Sequence, residues 1–141
     1  MTGDLTPFES DLVASLGAET RDPAGSPDDA RAWLALFASA ACDVAGRLRA
    51  YRFMPLSGEV AFKEDHSPVT AVEREVEHQL RRRIHAFDRS ASVVGEEHGG
   101  QLHSTGVSIA IDPVDGTWAL LNRSASFAIS IAALRDGEPW L

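Results

Sequence analysis

Cysteine is almost missing from this chain: Cys42 stands alone, so no internal disulfide can form, and the usage fits a reducing compartment. No apolar run is long enough to span a bilayer, and the N-terminal stretch lacks both a basic start and an apolar signal core. A cytoplasmic protein is therefore expected. Positive charge is also scarce: 13 Lys and Arg face 21 Asp and Glu, a formal net charge of −8. That balance argues against nucleic acid and anionic membranes as partners. Repeats and low-complexity tracts are absent as well. What remains is 141 residues with a 44% hydrophobic share, enough for one domain, or part of one, with a real core.

Thr6-Pro7-Phe8-Glu9 has the signature of a capped helix start, with Phe8, Leu12, Val13 and Leu16 on one face before Gly17. Residues 18–25 are polar with Pro and Gly, and predict a linker, so the folded domain is expected over 26–141 with 1–25 as an extension. Ser26-Pro27-Asp28-Asp29 predicts a helix start with Ser26 as N-cap. Ala30, Trp33, Leu34, Phe37, Ala41, Val44, Leu48 and Tyr51 then recur at helical spacing. Cys42, beside that stripe, is expected as a small buried residue. Val60-Ala61-Phe62 predicts a short strand, and residues 63–68 a polar loop.

A second helix is expected from Thr70, burying Val72, Val76, Leu80, Ile84 and Phe87, with Arg81-Arg82-Arg83 on its solvated side. Two strands then end in acids: Val93-Val94-Gly95 runs into Glu96-Glu97, and Ile109-Ala110-Ile111 runs into Asp112-Pro113-Val114-Asp115. Phe127, Ile129, Ile131 and Ala133 alternate as a half-buried strand, and Asp136-Gly137 predicts the turn of a hairpin. Its return strand, Pro139-Trp140-Leu141, is short, so the sequence reads as cut in mid-domain with an open sheet edge.

If the two acid-ended strands are neighbours, Glu96, Asp112 and Asp115 converge at one edge. Crowded carboxylates repel, and a cation relieves the repulsion. Oxygen ligands without a Cys or His cluster point to Mg²⁺ or Mn²⁺ rather than Zn²⁺. The Val114 carbonyl is a further candidate ligand. Gly116 and Thr117, at the turn after the acids, offer amides to a phosphate. Together these features point to metal-assisted phosphoester hydrolysis. His66, His78, His85, His98 and His103 are expected at the surface or on helix faces.

Three blocks in order carry a resemblance to the inositol monophosphatase family, within the Mg²⁺-dependent, lithium-sensitive phosphatases. They are Lys63-x-Asp65-x-Ser67-Pro68-Val69-Thr70, Gly95-Glu96-Glu97 and Asp112-Pro113-Val114-Asp115-Gly116-Thr117. The match runs from about residue 33 to residue 141. Haloacid-dehalogenase-type phosphatases, by contrast, need a nucleophilic Asp where this chain has Pro113.

The resemblance implies an α+β fold, with two long helices packed on an antiparallel-rich sheet, as the N-terminal part of the family's layered architecture. It implies one Mg²⁺ held by Glu96, Asp112 and the Val114 carbonyl, and a second by Asp112 and Asp115. Thr117 with Glu73 would orient or deprotonate a water for in-line attack, and Asp115, Gly116 and Thr117 would contact substrate. The implied reaction is hydrolysis of a small phosphate monoester: inositol phosphate, nucleotide 3′-phosphate, sugar phosphate or histidinol phosphate. The implied partner is that small phosphorylated metabolite, and a homodimer is left open.

Some positions depart from the family pattern. Glu73 stands where the family usually has Asp, and Thr70-x-x-Glu73 also reads as a capping box, so cap and catalytic group remain alternatives that can coexist. Ala119-Leu120 and Arg123–Ala125 replace the usual Asn-Phe and Gly-x-Pro, so inositol specificity does not follow. The family's downstream metal-binding Asp has no counterpart in this sequence. A catalytically weak remnant, which binds metal or associates through the open edge, is the rival expectation.

Overall fold

The computed structural model describes residues 25–51, 61–62, 68–124 and 126–141. The expected helix over 6–17, most of the 18–25 linker and most of the polar loop at 63–68 lie outside them. Helix α1 (Ala30–Tyr51) starts later than Ser26. Pro27 and Asp28 form a turn closed by Asp29 N–H to Ser26 O at 2.9 Å, and Ser26 Oγ is used within that turn by Asp28 N–H. Capping passes instead to Asp29, whose Oδ1 accepts from Arg31 N–H at 2.9 Å.

The buried stripe of α1 is Trp33, Leu36, Phe37, Ala40, Val44 and Leu48. The expected Leu34 is 51% exposed, and Leu36 takes its place at 1%. Trp33 fixes that rotation. Its indole N–H donates to Pro27 O at 2.8 Å, and its ring meets Phe37 and, edge-on at 4.9 Å, Phe87. Cys42 is exposed rather than buried, since it lies on the opposite side of the helix from Trp33 and Val44.

Strands β1 (Ala61–Phe62) and β2 (Pro68–Val69) form a two-stranded antiparallel ladder leading to Thr70. Helix α2 (Ala71–Phe87) begins on the expected capping box and buries Val72, Val76, Leu80 and Ile84. Its arginines do not all face solvent. Arg83 reaches back to Asp43 (2.9 Å) and Ser39 (3.0 Å) on α1, Arg81 turns toward the sheet, and only Arg82 is exposed.

The main sheet runs β3 (Ser92–Gly95), β4 (Val107–Asp115), β5 (Ala128–Arg135) and β6 (Glu138–Pro139) in that order. The β3–β4 pair is parallel and the other two pairs are antiparallel, so the α+β, antiparallel-rich expectation holds with one parallel exception. Both long helices cover one face through a single cluster containing Trp33, Val76, Leu80, Ile109, Ile111 and Ala133. The β5–β6 turn has φ of 53° at Asp136 and 83° at Gly137, the positive pair that a two-residue hairpin needs. Among the described residues, no helix is long and apolar enough to cross a membrane.

The orientation of α1 is open to test by urea denaturation. Leu36→Ala is expected to lower the unfolding free energy by about 2–5 kcal/mol, the usual loss for a buried leucine. Leu34→Ala should stay within about 0.5 kcal/mol of the parent. Equal losses would contradict the observed rotation.

Candidate active site

Parallel pairing decides where the acids go. Gly95 lies opposite Ile111, and Glu96 N–H continues the ladder by donating to Ile111 O at 3.2 Å. Both strands therefore deliver their next residue, Glu96 and Asp112, to the same end of the sheet. Asp112 is pushed from the ordinary 3.8 up to about 6. Burial is the largest cause, followed by a hydrogen bond with Glu96 and the charge of Glu96, and lastly the charge of Asp115. Opposing these, Asp112 Oδ1 accepts from Val114 N–H at 3.1 Å, which favours the ionised form.

The Asp-Pro-Val-Asp spacing becomes intelligible from the β4–β5 register. Asp112 pairs with Ser130 and Asp115 with Ala128, three steps along β4 against two along β5. That extra residue is a β-bulge, and Pro113, with no N–H to offer the ladder, sits inside it. Side chains three apart on a regular strand point to opposite faces. The bulge resets the alternation, so Asp115 stays within electrostatic reach of Asp112. Gly116 follows at φ 101°, and a Cβ there would press on Ser126 O at 3.0 Å. The chain then turns into the short helix α3 (Thr117–Leu121).

Glu73 is buried in the first turn of α2, with its carboxylate shared between two partners. Oε2 accepts from Thr70 N–H and Oε1 from the Thr117 hydroxyl, each at 2.5 Å. The Thr70 hydroxyl in turn accepts from Glu73 N–H, completing the capping box. The cap and the contact with Thr117 thus coexist in one side chain. Burial raises the Glu73 pKa, the Thr117 and Thr70 hydrogen bonds hold it back, and the charge of Glu97 adds to the rise.

Two acids near the site have no role in the sequence reading, although Glu97 belongs to one of its motif blocks. Glu97 is close enough to Glu73 to disfavour its ionisation. Glu77 is wholly buried, bonded to Arg81 and to backbone amides of the turn after β3. Its signal was the Glu73, Glu77, Arg81 series at four-residue spacing, which on most helices marks a solvated face. The histidines keep to the edges. His78, His85, His98 and His103 are exposed, His98 Nε2 lies 2.8 Å from Arg74 O, and His66 is outside the described residues.

On the sheet face away from the helices, a cavity of about 630 Å³ is lined by Val94, Ala110, Ser130 and Ala132 and ends at Glu96 and Asp112. Among the described residues, no three His, Cys, Asp or Glu side chains are gathered tightly enough to hold a metal ion by themselves. The donor chemistry nevertheless suits a hard cation. Glu96 and Asp112 are in hydrogen-bond contact, and burial together with their crowding raises the pKa of Asp112, so a divalent ion between them would relieve the repulsion.

The sequence and the fold both have relatives. A histidinol-phosphatase of Mycobacterium tuberculosis (strain ATCC 25618 / H37Rv) is 36% identical over 104 residues, which is 74% of this chain and 40% of that protein. An inositol-1-monophosphatase of Bacillus subtilis (strain 168) is 38% identical over 72 residues, 50% of this chain and 27% of that protein. In fold, the crystal structure of the extragenic suppressor protein suhB from Bartonella henselae superposes with a TM-score of 0.69 at 21% identity, over 77% of this chain and 42% of that one. The chain thus spans about 40% of the length of the histidinol-phosphatase and of the suhB protein. The family model described as the inositol monophosphatase family matches residues 30–141, and the chain belongs to that family.

Proposed function

We propose that the chain carries part of the catalytic edge of a Mg²⁺-dependent phosphatase, which hydrolyses a small phosphate monoester with water as the nucleophile. The observation that carries this reading is the pairing of two contacts. Glu96 meets Asp112 at the ends of parallel strands, and the Thr117 hydroxyl is bonded to the buried Glu73. Glu96, Asp112 and the Val114 carbonyl would hold one Mg²⁺, and Asp112 with Asp115 a second; Mn²⁺ suits the same oxygen donors. When bound, the cations neutralise phosphate charge and make water more acidic.

The protein's own part is proton handling and orientation. Thr117 Oγ1 donates to Glu73, which leaves its lone pairs to accept a proton from water. As the water proton passes to Thr117 Oγ1, the threonine proton passes to Glu73, and the water oxygen attacks phosphorus in line with the departing alkoxide. Burial raises the Glu73 pKa toward the working range of a general base. Gly116 and Thr117 would turn amides toward the phosphate, with Asp115 beside them. The similarity to a histidinol-phosphatase supports histidinol phosphate as a substrate beside inositol phosphate.

Calorimetric titration with Mg²⁺, paired with phosphate release from inositol-1-phosphate, histidinol phosphate and a nucleotide 3′-phosphate, tests the reading. Saturable binding and metal-dependent release, both lost in Asp112→Asn, are expected. An absence of saturable binding at millimolar Mg²⁺ sinks the metal site, and binding without turnover sinks catalysis by this chain. Glu73→Gln is expected to keep most of the helix stability, since Gln also caps, yet lower release by about 10²–10⁴-fold, the usual contribution of a general base. Unchanged release would leave Glu73 as a cap only.

Without metal the same acids oppose folding. A carboxyl whose folded pKa lies above its unfolded one contributes stability fully present below the unfolded value and lost as pH rises through the folded value. For Asp112 the window is 3.8 to about 6, and Glu73 acts in the same direction. Metal-free thermal melts should therefore show stability falling across that window, with a smaller fall and a higher melting temperature near neutral pH in Asp112→Asn. A variant less stable than the parent there would contradict the crowding of the acids.

A further inference from the structure

We propose that Glu77 is a positioning residue for the metal-holding edge: its buried carboxylate, braced by Arg81, fixes the turn after β3 and thereby the approach of Glu96 to Asp112. This inference rests on the metal-site reading above and adds to it a residue that touches neither cation nor substrate.

The geometry is specific to one segment. Glu77 Oε2 accepts from Glu97 N–H at 2.7 Å, and Oε1 accepts from His98 N–H at 3.3 Å, so the two amides just after Glu96 end on one carboxylate. Arg81 closes the arrangement from the same helix. Its Nε donates to Glu77 Oε1 at 2.7 Å, and its terminal nitrogens donate to Val93 O at 3.1 Å and to Gly99 O. Donors and acceptors on both sides of Glu96 are thus tied to two side chains of α2.

Gly95 supplies the third observation. A Cβ at that position would overlap the Glu77 carboxylate, so the glycine is the space into which the acid fits. Glu77 is 0% exposed, and taking its charge out of water is costly, a cost that attraction to Arg81 offsets only with good geometry. Exchanging both members of such a pair for apolar side chains is often neutral or stabilising, but apolar groups could not hold the Glu97 and His98 amides. Orientation of the turn, more than stability, is what this acid provides.

The test compares the full chain with Glu77→Gln and with Leu80→Val, a core variant on the same helix whose side chain makes none of these hydrogen bonds. Amide NMR spectra establish that each is folded, and Mg²⁺ titration by calorimetry gives the dissociation constant. Glu77→Gln is expected to weaken Mg²⁺ binding by about 10- to 100-fold, the usual effect of removing a group that orients a ligand. It should also shift the Glu97 and His98 amide resonances in the metal-free state. Leu80→Val should lower the melting temperature and leave the dissociation constant unchanged, which separates positioning from general destabilisation.

If Glu77→Gln does not fold, Arg81→Lys decides the matter, because lysine keeps the charge and loses the fork that reaches Val93 O and Gly99 O. It should weaken Mg²⁺ binding several-fold. A folded Glu77→Gln chain with parental affinity, or an Arg81→Lys chain with parental affinity where the first is unfolded, overturns the proposal and leaves the metal site standing. Absence of saturable Mg²⁺ binding by the parent chain overturns both.

Discussion

Like charges forced together at the end of a sheet are the constraint from which most of this structure follows. Two unit charges about 4 Å apart cost about 4 kcal/mol at an effective dielectric near 20. A folded chain can answer by separating them, by binding a proton or by binding a cation. Separation is resisted here. Parallel pairing fixes Gly95 against Ile111, the Val114 amide holds Asp112, and the turn carrying Glu96 is bonded to Glu77. The raised pKa of Asp112 is the proton answer, and the proposed Mg²⁺ is the cation answer.

Helix α2 serves two purposes with two sets of residues. Val72, Val76, Leu80 and Ile84 seat it on the sheet, while Glu73, Glu77 and Arg81 run along the adjoining line toward the strand ends. Burying two carboxylates on one helix is expensive unless each is satisfied. Both are: among the described residues, no buried side-chain nitrogen or oxygen is left without a partner. The apolar stripe therefore sets the height and rotation at which the acids meet the backbone of the neighbouring loops.

Features governed by local rules were legible in the sequence. The capping box at Thr70 and Glu73, the positive-φ hairpin at Asp136 and Gly137, and the strands that lead into Glu96 and Asp112 all form as their residues predict. The order of motifs was enough to indicate the family. Features set by tertiary contact were not legible. Leu34 and Leu36 are equally plausible on a helical wheel until Trp33 docks on Pro27 and Phe87. Ser26 has the chemistry of an N-cap, but the turn at Pro27 uses it first. The arginine run looks solvated because its acceptors, Val93 O, Gly99 O and Asp43, lie far away in sequence. The candidate site divides in the same way: its acids could be picked out individually, but the parallel pairing and the Glu77 contacts that orient them could not.

The fit between Gly95 and Glu77 also bears on how these two positions can vary. Enlarging residue 95 alone meets a volume already filled by the carboxylate, and shrinking residue 77 alone leaves the Glu97 and His98 amides unanswered. Shortening residue 77 opens the space beside residue 95, so the cost of a side chain at 95 depends on what stands at 77. The two positions therefore form an epistatic unit. A search that changes one residue at a time would register two intolerant sites and miss the coupling between them.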